Sequence, residues 1–236
     1  MSTAIEEFES KIVQILYADW DTQEARVVPK TEDVKQYNGA KKLVATYLYA
    51  DMADSTLLMK RFEPEMAARI IRAYLRIAVD CIRAKGGHIR SFDGDRVMGI
   101  FVGDQRRDDA VDAAFNISWV VKETLNSKLD TKLWDSQEKW KVSHRVGIDD
   151  SETFIVRGGA RNNSDLVSIG DAPNIAAKLS GIRDNPGSIT ITSRVYDYLS
   201  ERNLKYGEEL MWVKRTDSVV GPHSVRTYNS SWMRWP

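Results

Sequence analysis

Apolar residues near the start of the chain recur at helical spacing. Phe8, Ile12, Ile15 and Leu16 fall on one face of residues 5–17 and predict a short helix, after which the pattern fails from Asp19 to Ala40 and reads as an irregular connector. Residues 42–50, KLVATYLYA, form an apolar and aromatic run of strand length that Asp51 ends. A helical pattern follows over 55–85, with Leu57, Leu58, Ile70, Ile71, Tyr74, Leu75, Ala78 and Ile82 on its buried face and Gly86-Gly87 as its stop. Residues 88–92 and 96–102 predict two strands around Asp93-Gly94-Asp95, because Asp-Gly between apolar runs is a strong hairpin signal. A helix over 108–125, a polar loop over 126–139 and a strand over 142–148 complete a βαββαβ order. That order predicts an α+β, ferredoxin-like fold in which helices pack on an antiparallel sheet. Beyond it come a hairpin of 152–156 with 166–169, a helix over 172–181, and strands near 210–213 and 224–228.

Composition narrows the partners. The chain has 236 residues, enough for one or two domains, with 42% hydrophobic and 29% charged residues, values ordinary for a globular protein. Its 34 basic and 34 acidic residues give a formal net charge of zero, which argues against a long nucleic-acid polymer as partner. A small phosphorylated ligand, gripped by a few placed residues, fits better. Cys81 is the only cysteine, so neither a disulfide framework nor a thiolate zinc cluster can be built within one chain. It shares a helical stripe with Ile77, Ala78 and Ile82 and reads as core packing. No apolar run approaches the ~20 residues of a membrane span. Glu6 and Glu7 stand where a signal peptide would carry positive charge, so the expectation is a cytoplasmic protein without membrane contact. His88, His144 and His223 are scattered and read as structural or surface residues.

Asp51 and Asp95 each sit at the edge of an apolar strand, and a βαββ unit can bring those edges side by side. Two such carboxylates repel unless a cation lies between them, and their hard oxygens suit Mg²⁺ or Mn²⁺. Taken alone, acidic residues at strand ends are more often solvated turn formers. Ser55 and Thr56 follow closely and could open the next helix, whose first amides lack helical partners and suit phosphate oxygens. Asp54 or Ser55 as a plain N-cap is the simpler reading of the same residues. In the segment IGDAPNIAAK, Asn174 and Lys178 are four apart and share a helical face, where a neutral donor and a cation could steady charge on phosphorus.

Together, YADMADST, SFDGDRVMGIF, RVGIDDS and SIGDAPNIAAKL occur in the order and spacing of the class III nucleotidyl cyclase catalytic domain, which the chain resembles over residues 43–228. The resemblance implies that Asp51 and Asp95 match the family's metal-binding aspartates and that Asn174 matches its transition-state asparagine. Lys178 stands where the family usually has arginine, keeping the charge but losing the planar fork. Purine cyclases of the family carry Lys or Glu four residues before the second metal aspartate, and Asp or Cys shortly before the glycine of the asparagine motif. Ser91 and Val167 occupy those places here, so neither purine pair is present. The chain is most similar to the bacterial pyrimidine cyclases of the Pycsar anti-phage systems, sharing YAD, FDGDRVM and the NxAAK helix.

That resemblance implies a catalytic domain over 43–236 preceded by an N-terminal helix and connector over 1–42. It implies a homodimer with shared sites, in which Asp51 and Asp95 of one chain hold two Mg²⁺ or Mn²⁺ ions and Asn174 and Lys178 come from the other. The implied reaction makes cyclic UMP from UTP, or cyclic CMP from CTP, as a messenger for a separate effector. Tyr49 lies two residues from Asp51 on the same strand, so alternation sends both side chains to one face, where the ring lines the nucleotide pocket or fills core. Arg96 follows Asp95, and regular alternation would point it away from the metal. A guanidinium reaching the base is a pure donor and favours uracil O4 over the cytosine amino group. Arg157, Lys214 and Arg215 are further cations for the triphosphate. A purine cyclase with substitute readers and an inactive nucleotide-binding module remain alternatives.

Overall fold

The computed structural model describes residues 3–132, 140–160, 162–183, 187–220 and 223–236. In chain order its elements begin with α1 (Ala4–Leu16), β1 (Asp21–Ala25), β2 (Gly39–Met52), α2 (Ser55–Arg61), α3 (Pro64–Ala84), β3 (His88–Asp93) and β4 (Arg96–Phe101). Then come α4 (Arg106–Trp119), a π-helical turn at Val120–Leu125, α5 (Asn126–Lys132), β5 (His144–Ala160), β6 (Asn163–Ile169) and α6 (Asp171–Ser180). The rest are β7 (Ile189–Thr192), α7 (Ser193–Tyr196), α8 (Glu201–Leu204), β8 (Lys205–Tyr206), β9 (Glu209–Leu210), β10 (Val213–Val220) and β11 (His223–Ser230). The chain divides into two compact units, Met1–Val44 with Glu152–Asp171, and Ala45–Ser151 with Ala172–Pro236.

In the first unit, α1 starts on a capping box: the Glu6 amide donates to the Thr3 hydroxyl at 3.3 Å and the Thr3 amide to the Glu6 carboxylate at 2.8 Å. The expected connector holds a strand after all, because β1 runs parallel to β2 from Asp21 opposite Gly39 to Ala25 opposite Leu43. Trp20 meets Phe154 edge to face at 5.3 Å between ring centroids. The β5–β6 hairpin pairs Phe154 with Ile169 through Ala160 with Asn163, longer than expected.

The second unit carries the βαββαβ order, with strands arranged β5-β2-β4-β3 and continued through β7, β11 and β10. Its β2–β4 and β3–β4 pairs are antiparallel as expected, whereas β5 pairs with β7 in parallel. One face of β2 and β4, formed by Leu48, Ala50, Val97 and Phe101, joins the core with Ile70, Tyr74, Ala78, Cys81 and Ile82 of α3. Gly99 permits that approach, since a Cβ there would stand 2.9 Å from Ile82. Cys81 is buried, as its helical stripe predicts. Buried charge is paired: Asp150 accepts from Arg106, Arg107 and the Thr46 hydroxyl, each at 2.7 Å.

Several expectations need correction. The helix over 55–85 is two helices, because Pro64 has no amide to continue α2 and instead takes a first-turn position of α3. The 108–125 helix passes into the π-helical turn, and α5 occupies the first part of the expected loop, whose residues 133–139 lie outside the described residues. The strands expected at 142–148 and 152–156 are one strand, β5, continuous through the intervening polar residues. β7 was not expected; its four residues, ITIT, are all buried, so no solvent face marks a period. The C-terminal hairpin is β10 with β11, while Glu209–Leu210 pairs with Lys205–Tyr206 in a separate small sheet. Among the described residues no helix is long and apolar enough to cross a membrane.

Candidate active site

The end of β2 and the β3–β4 hairpin build the site. Residues directly opposite in an antiparallel pair share a face. Asp51 stands opposite Arg96, which stands opposite Asp93, so Asp93, Arg96 and Asp51 form one row across three strands. Two residues along, Ser91, Met98 and Tyr49 form a second row. Both rows lie on the face away from the Leu48, Ala50 and Val97 side that packs on α3. Arg96 therefore shares a face with Asp51, against the expectation from simple alternation after Asp95. The turn explains the difference: Gly94 alone of the two turn residues has positive φ, +62°, the arrangement of a type II′ hairpin, and Asp95 belongs to the turn rather than to the strand.

Asp95 is half-buried, and its Oδ2 is buried without a hydrogen-bond partner. Burial first, and then the neighbouring Asp95 charge, push the Asp51 carboxyl up to about 6 from 3.8. The Tyr74 hydroxyl of α3, fully buried and unpartnered, feels the same two charges and is held far above its usual range, by burial foremost. An unsatisfied carboxylate oxygen beside a second carboxylate is a donor set that fits a hard divalent cation. Among the described residues no cluster of three or more His, Cys, Asp or Glu side chains could hold a metal. The pair suits an ion that takes one or two carboxylates and completes its shell with water and substrate phosphates, as Mg²⁺ does.

A pH effect follows. A carboxyl whose pKa is raised by folding destabilises the fold when ionised, so its penalty grows as pH rises through about 6 and vanishes below the unfolded value. Without divalent ions, the protein is expected to gain stability between pH 7.5 and pH 5 relative to an Asp51→Asn chain. The gain should be about 0.5–1 kcal/mol, since the full linkage over that range is about one pK unit and screening at a half-exposed group reduces it. Parallel denaturant curves for the two chains across that range are the check, and identical pH profiles would refute it.

Arg96 donates to the Asp93 carboxylate at 2.6 Å and lies over the Tyr49 ring, its guanidinium carbon 5.4 Å from the centroid. Its Nε is buried with no partner. Tyr49 is half-buried, and burial pushes its phenol up. Ser91 stands in the same row as Tyr49, at the far side of Met98.

Ser55 and Thr56 do open a helix, α2, directly beyond β2. Asp54 takes the N-cap position at φ +61° but makes no side-chain cap bond, and its carboxylate lies 3.5 Å from Arg183 instead. Asn174 and Lys178 are both exposed on one side of α6, whose opposite side buries Ile175, Ala176 and Leu179. That helix sits on β5 so closely that a Cβ at Gly147 would meet the Ala176 carbonyl at 2.1 Å. The charges that act most on Asp51 are, in order, Asp95, Arg96, Asp93 and Arg183. Val167 belongs to the first unit, on β6 opposite Val156. Arg157 is in that unit too and donates to the Ser164 hydroxyl, and Lys214 is exposed on β10. Burial makes His144 a structural, neutral imidazole with its pKa near 4, and the His223 side chain lies outside the described residues.

Sequence reasoning missed Asp93 and Arg183. Asp93 reads as a turn former until the register shows its partner, and Arg183, beyond α6, carries no local signal at all.

No protein-family model matches the chain. Among curated proteins it is 36% identical over 235 residues to the uridylate cyclase of Rhodovulum sp. (strain MB263), covering 98% of this chain and 97% of that one. It is 37% identical to the uridylate cyclase of Burkholderia cepacia, covering 92% and 91% respectively. Among solved structures, the adenylyl cyclase CyaB from P. aeruginosa superposes with a TM-score of 0.69 at 19% identity, over 83% of this chain and 97% of that one. The guanylyl cyclase Cya2 gives 0.66 at 16% identity, over 83% and 95%. The solved structures share the α+β fold of class III cyclase domains, and the curated relatives align with this chain over nearly its whole length. The chain belongs to the nucleotidyl cyclases, in the family of the bacterial uridylate cyclases.

Proposed function

We propose that this protein converts UTP to 3′,5′-cyclic UMP and pyrophosphate. The observation that carries the reading is a pair of orphaned atoms on adjacent residues. The buried Oδ2 of Asp95 lacks a cation or donor, and the buried Nε of Arg96 lacks an acceptor. A nucleoside triphosphate with divalent ions satisfies both, the ions at the carboxylates and a base carbonyl at the guanidinium. The curated relatives named uridylate cyclase support the choice of base.

In this reading Asp51 and Asp95 hold two Mg²⁺ or Mn²⁺ ions per site. Bound there, the ions supply Lewis-acid activation of the ribose 3′-hydroxyl and neutralise the triphosphate. The 3′-oxygen bonds to the α-phosphorus, the bond from that phosphorus to pyrophosphate breaks, and the hydroxyl proton passes to solvent. Ser55 and Thr56 present the first amides of α2 to phosphate oxygens. Asn174 and Lys178 of a second copy donate to the α-phosphoryl oxygens as charge develops, which requires a homodimer with two shared sites. Tyr49, Arg96 and Ser91 face the base, and Val167 takes the place of a purine-reading residue.

Residues 43–236 form the catalytic portion, with 1–42 appended. The protein acts in the cytoplasm, and its product serves as second messenger to a separate effector in anti-phage defence.

A guanidinium only donates, so it pairs with uracil O4 and opposes the cytosine N4 amino group. Leaving one buried polar group unpaired costs ~1–3 kcal/mol, roughly ten- to hundredfold in selectivity. Incubation with Mn²⁺ and each of the four nucleoside triphosphates, with products identified by mass spectrometry, tests the reading. Cyclic UMP as main product is expected. Cyclic CMP or a cyclic purine nucleotide would reassign the substrate, and no product from any of them would make the chain a binding module.

A further inference from the structure

We propose that Asp93 is a positioning residue that holds Arg96 over Tyr49 and away from Asp51, so that one carboxylate outside the metal pair serves both base selection and metal binding. The inference rests on the reading of Arg96 as the base reader and Asp51 as a metal ligand. In the row across β3, β4 and β2, Arg96 has a carboxylate on either side, Asp93 opposite it on β3 and Asp51 opposite it on β2. The guanidinium bonds to Asp93 at 2.6 Å, which leaves Nε as a buried donor without a partner and sets the group on the Tyr49 face.

The two carboxylates compete for one cation. Asp51 is the less hydrated, so attraction to it is the less screened. With Asp93 removed, Arg96 has no partner on β3 and turns to Asp51. There its forked donors take the lone pairs that a divalent ion needs, and Nε leaves the position facing the base. Asp93 therefore has two separable consequences, and both run through Arg96.

Asp93 is 77% exposed, so its replacement leaves the hairpin folded. The test compares Asp93→Ala, Asp93→Asn, Arg96→Ala and the double variant Asp93→Ala/Arg96→Ala. Calorimetric or electron-paramagnetic-resonance titration with Mn²⁺ alone gives the first readout, and the ratio of kcat/KM for UTP over CTP gives the second. For Asp93→Ala, Mn²⁺ affinity and the UTP preference are each expected to fall about two- to fivefold, the scale of an ion pair open to solvent. Asp93→Asn keeps an oxygen acceptor and is expected to retain more of the preference. The decisive arm is the double variant: with Arg96 gone, loss of Asp93 should no longer weaken Mn²⁺ binding.

If Asp93→Ala weakens Mn²⁺ equally with and without Arg96, the effect is its negative charge alone and the proposal is overturned. A UTP preference intact in Asp93→Ala but lost in Arg96→Ala shows that Arg96 reads the base unaided and also overturns it. A preference intact in Arg96→Ala removes base reading itself and the proposal with it, and this outcome is recognisable because it appears without any change at Asp93.

Discussion

An Asp51→Asn or Asp95→Asn protein is expected to fold normally, to bind Mn²⁺ more weakly, and to lose at least ~10²-fold in kcat/KM. A bound ion contributes several kcal/mol of charge stabilisation in the transition state, and each 1.36 kcal/mol is tenfold in rate. Removing one carboxylate oxygen from the proposed pair of metal-binding aspartates damages nucleophile activation and triphosphate neutralisation together. The fold does not depend on these charges, because burial and mutual repulsion disfavour ionised Asp51 in the native state. Circular dichroism and thermal unfolding verify folding, Mn²⁺ titration verifies the binding defect, and rates with UTP give the catalytic loss. A folded variant turning over near the wild-type rate would remove the carboxylates from the mechanism.

Mixing two inactive chains is expected to restore activity. Asn174 and Lys178 project together from the exposed side of α6. In the proposed reading, a site that uses both sets draws them from two copies. In a heterodimer of Asp51→Asn with Asn174→Ala, one site collects both lesions and the other is intact. Random reassortment makes half the dimers mixed, so about a quarter of wild-type activity should return. Subunit exchange followed by native mass spectrometry shows that mixed dimers are present. Their presence without rescue would place the whole site within one chain.

The contrast between legible and hidden features follows the range of the interactions. Asp51 and Asp95 are visible as acids at strand edges, and the hairpin between them is visible because Asp-Gly is a local turn signal. The α3 stripe with Cys81 is equally local. Pro64 is visible too, yet the apolar stripe stays in phase across it and masks the break between α2 and α3. β7 escapes because four buried residues show no alternation, and β5 reads as two strands because its polar middle residues, Asp149 and Asp150, look like a turn until their arginine partners are known.

Periodicity, turn chemistry and composition sufficed for the α+β order, the hairpin and the two acidic strand edges, since each depends on residues a few positions apart. The orientation of Arg96, its contact with Asp93 and Tyr49, and the place of Arg183 beside Asp54 came only with tertiary structure. Strand register sets them, and register is a property of paired strands, so a type II′ turn that puts Asp95 outside the strand moves Arg96 to the opposite face from the one its own sequence position suggests.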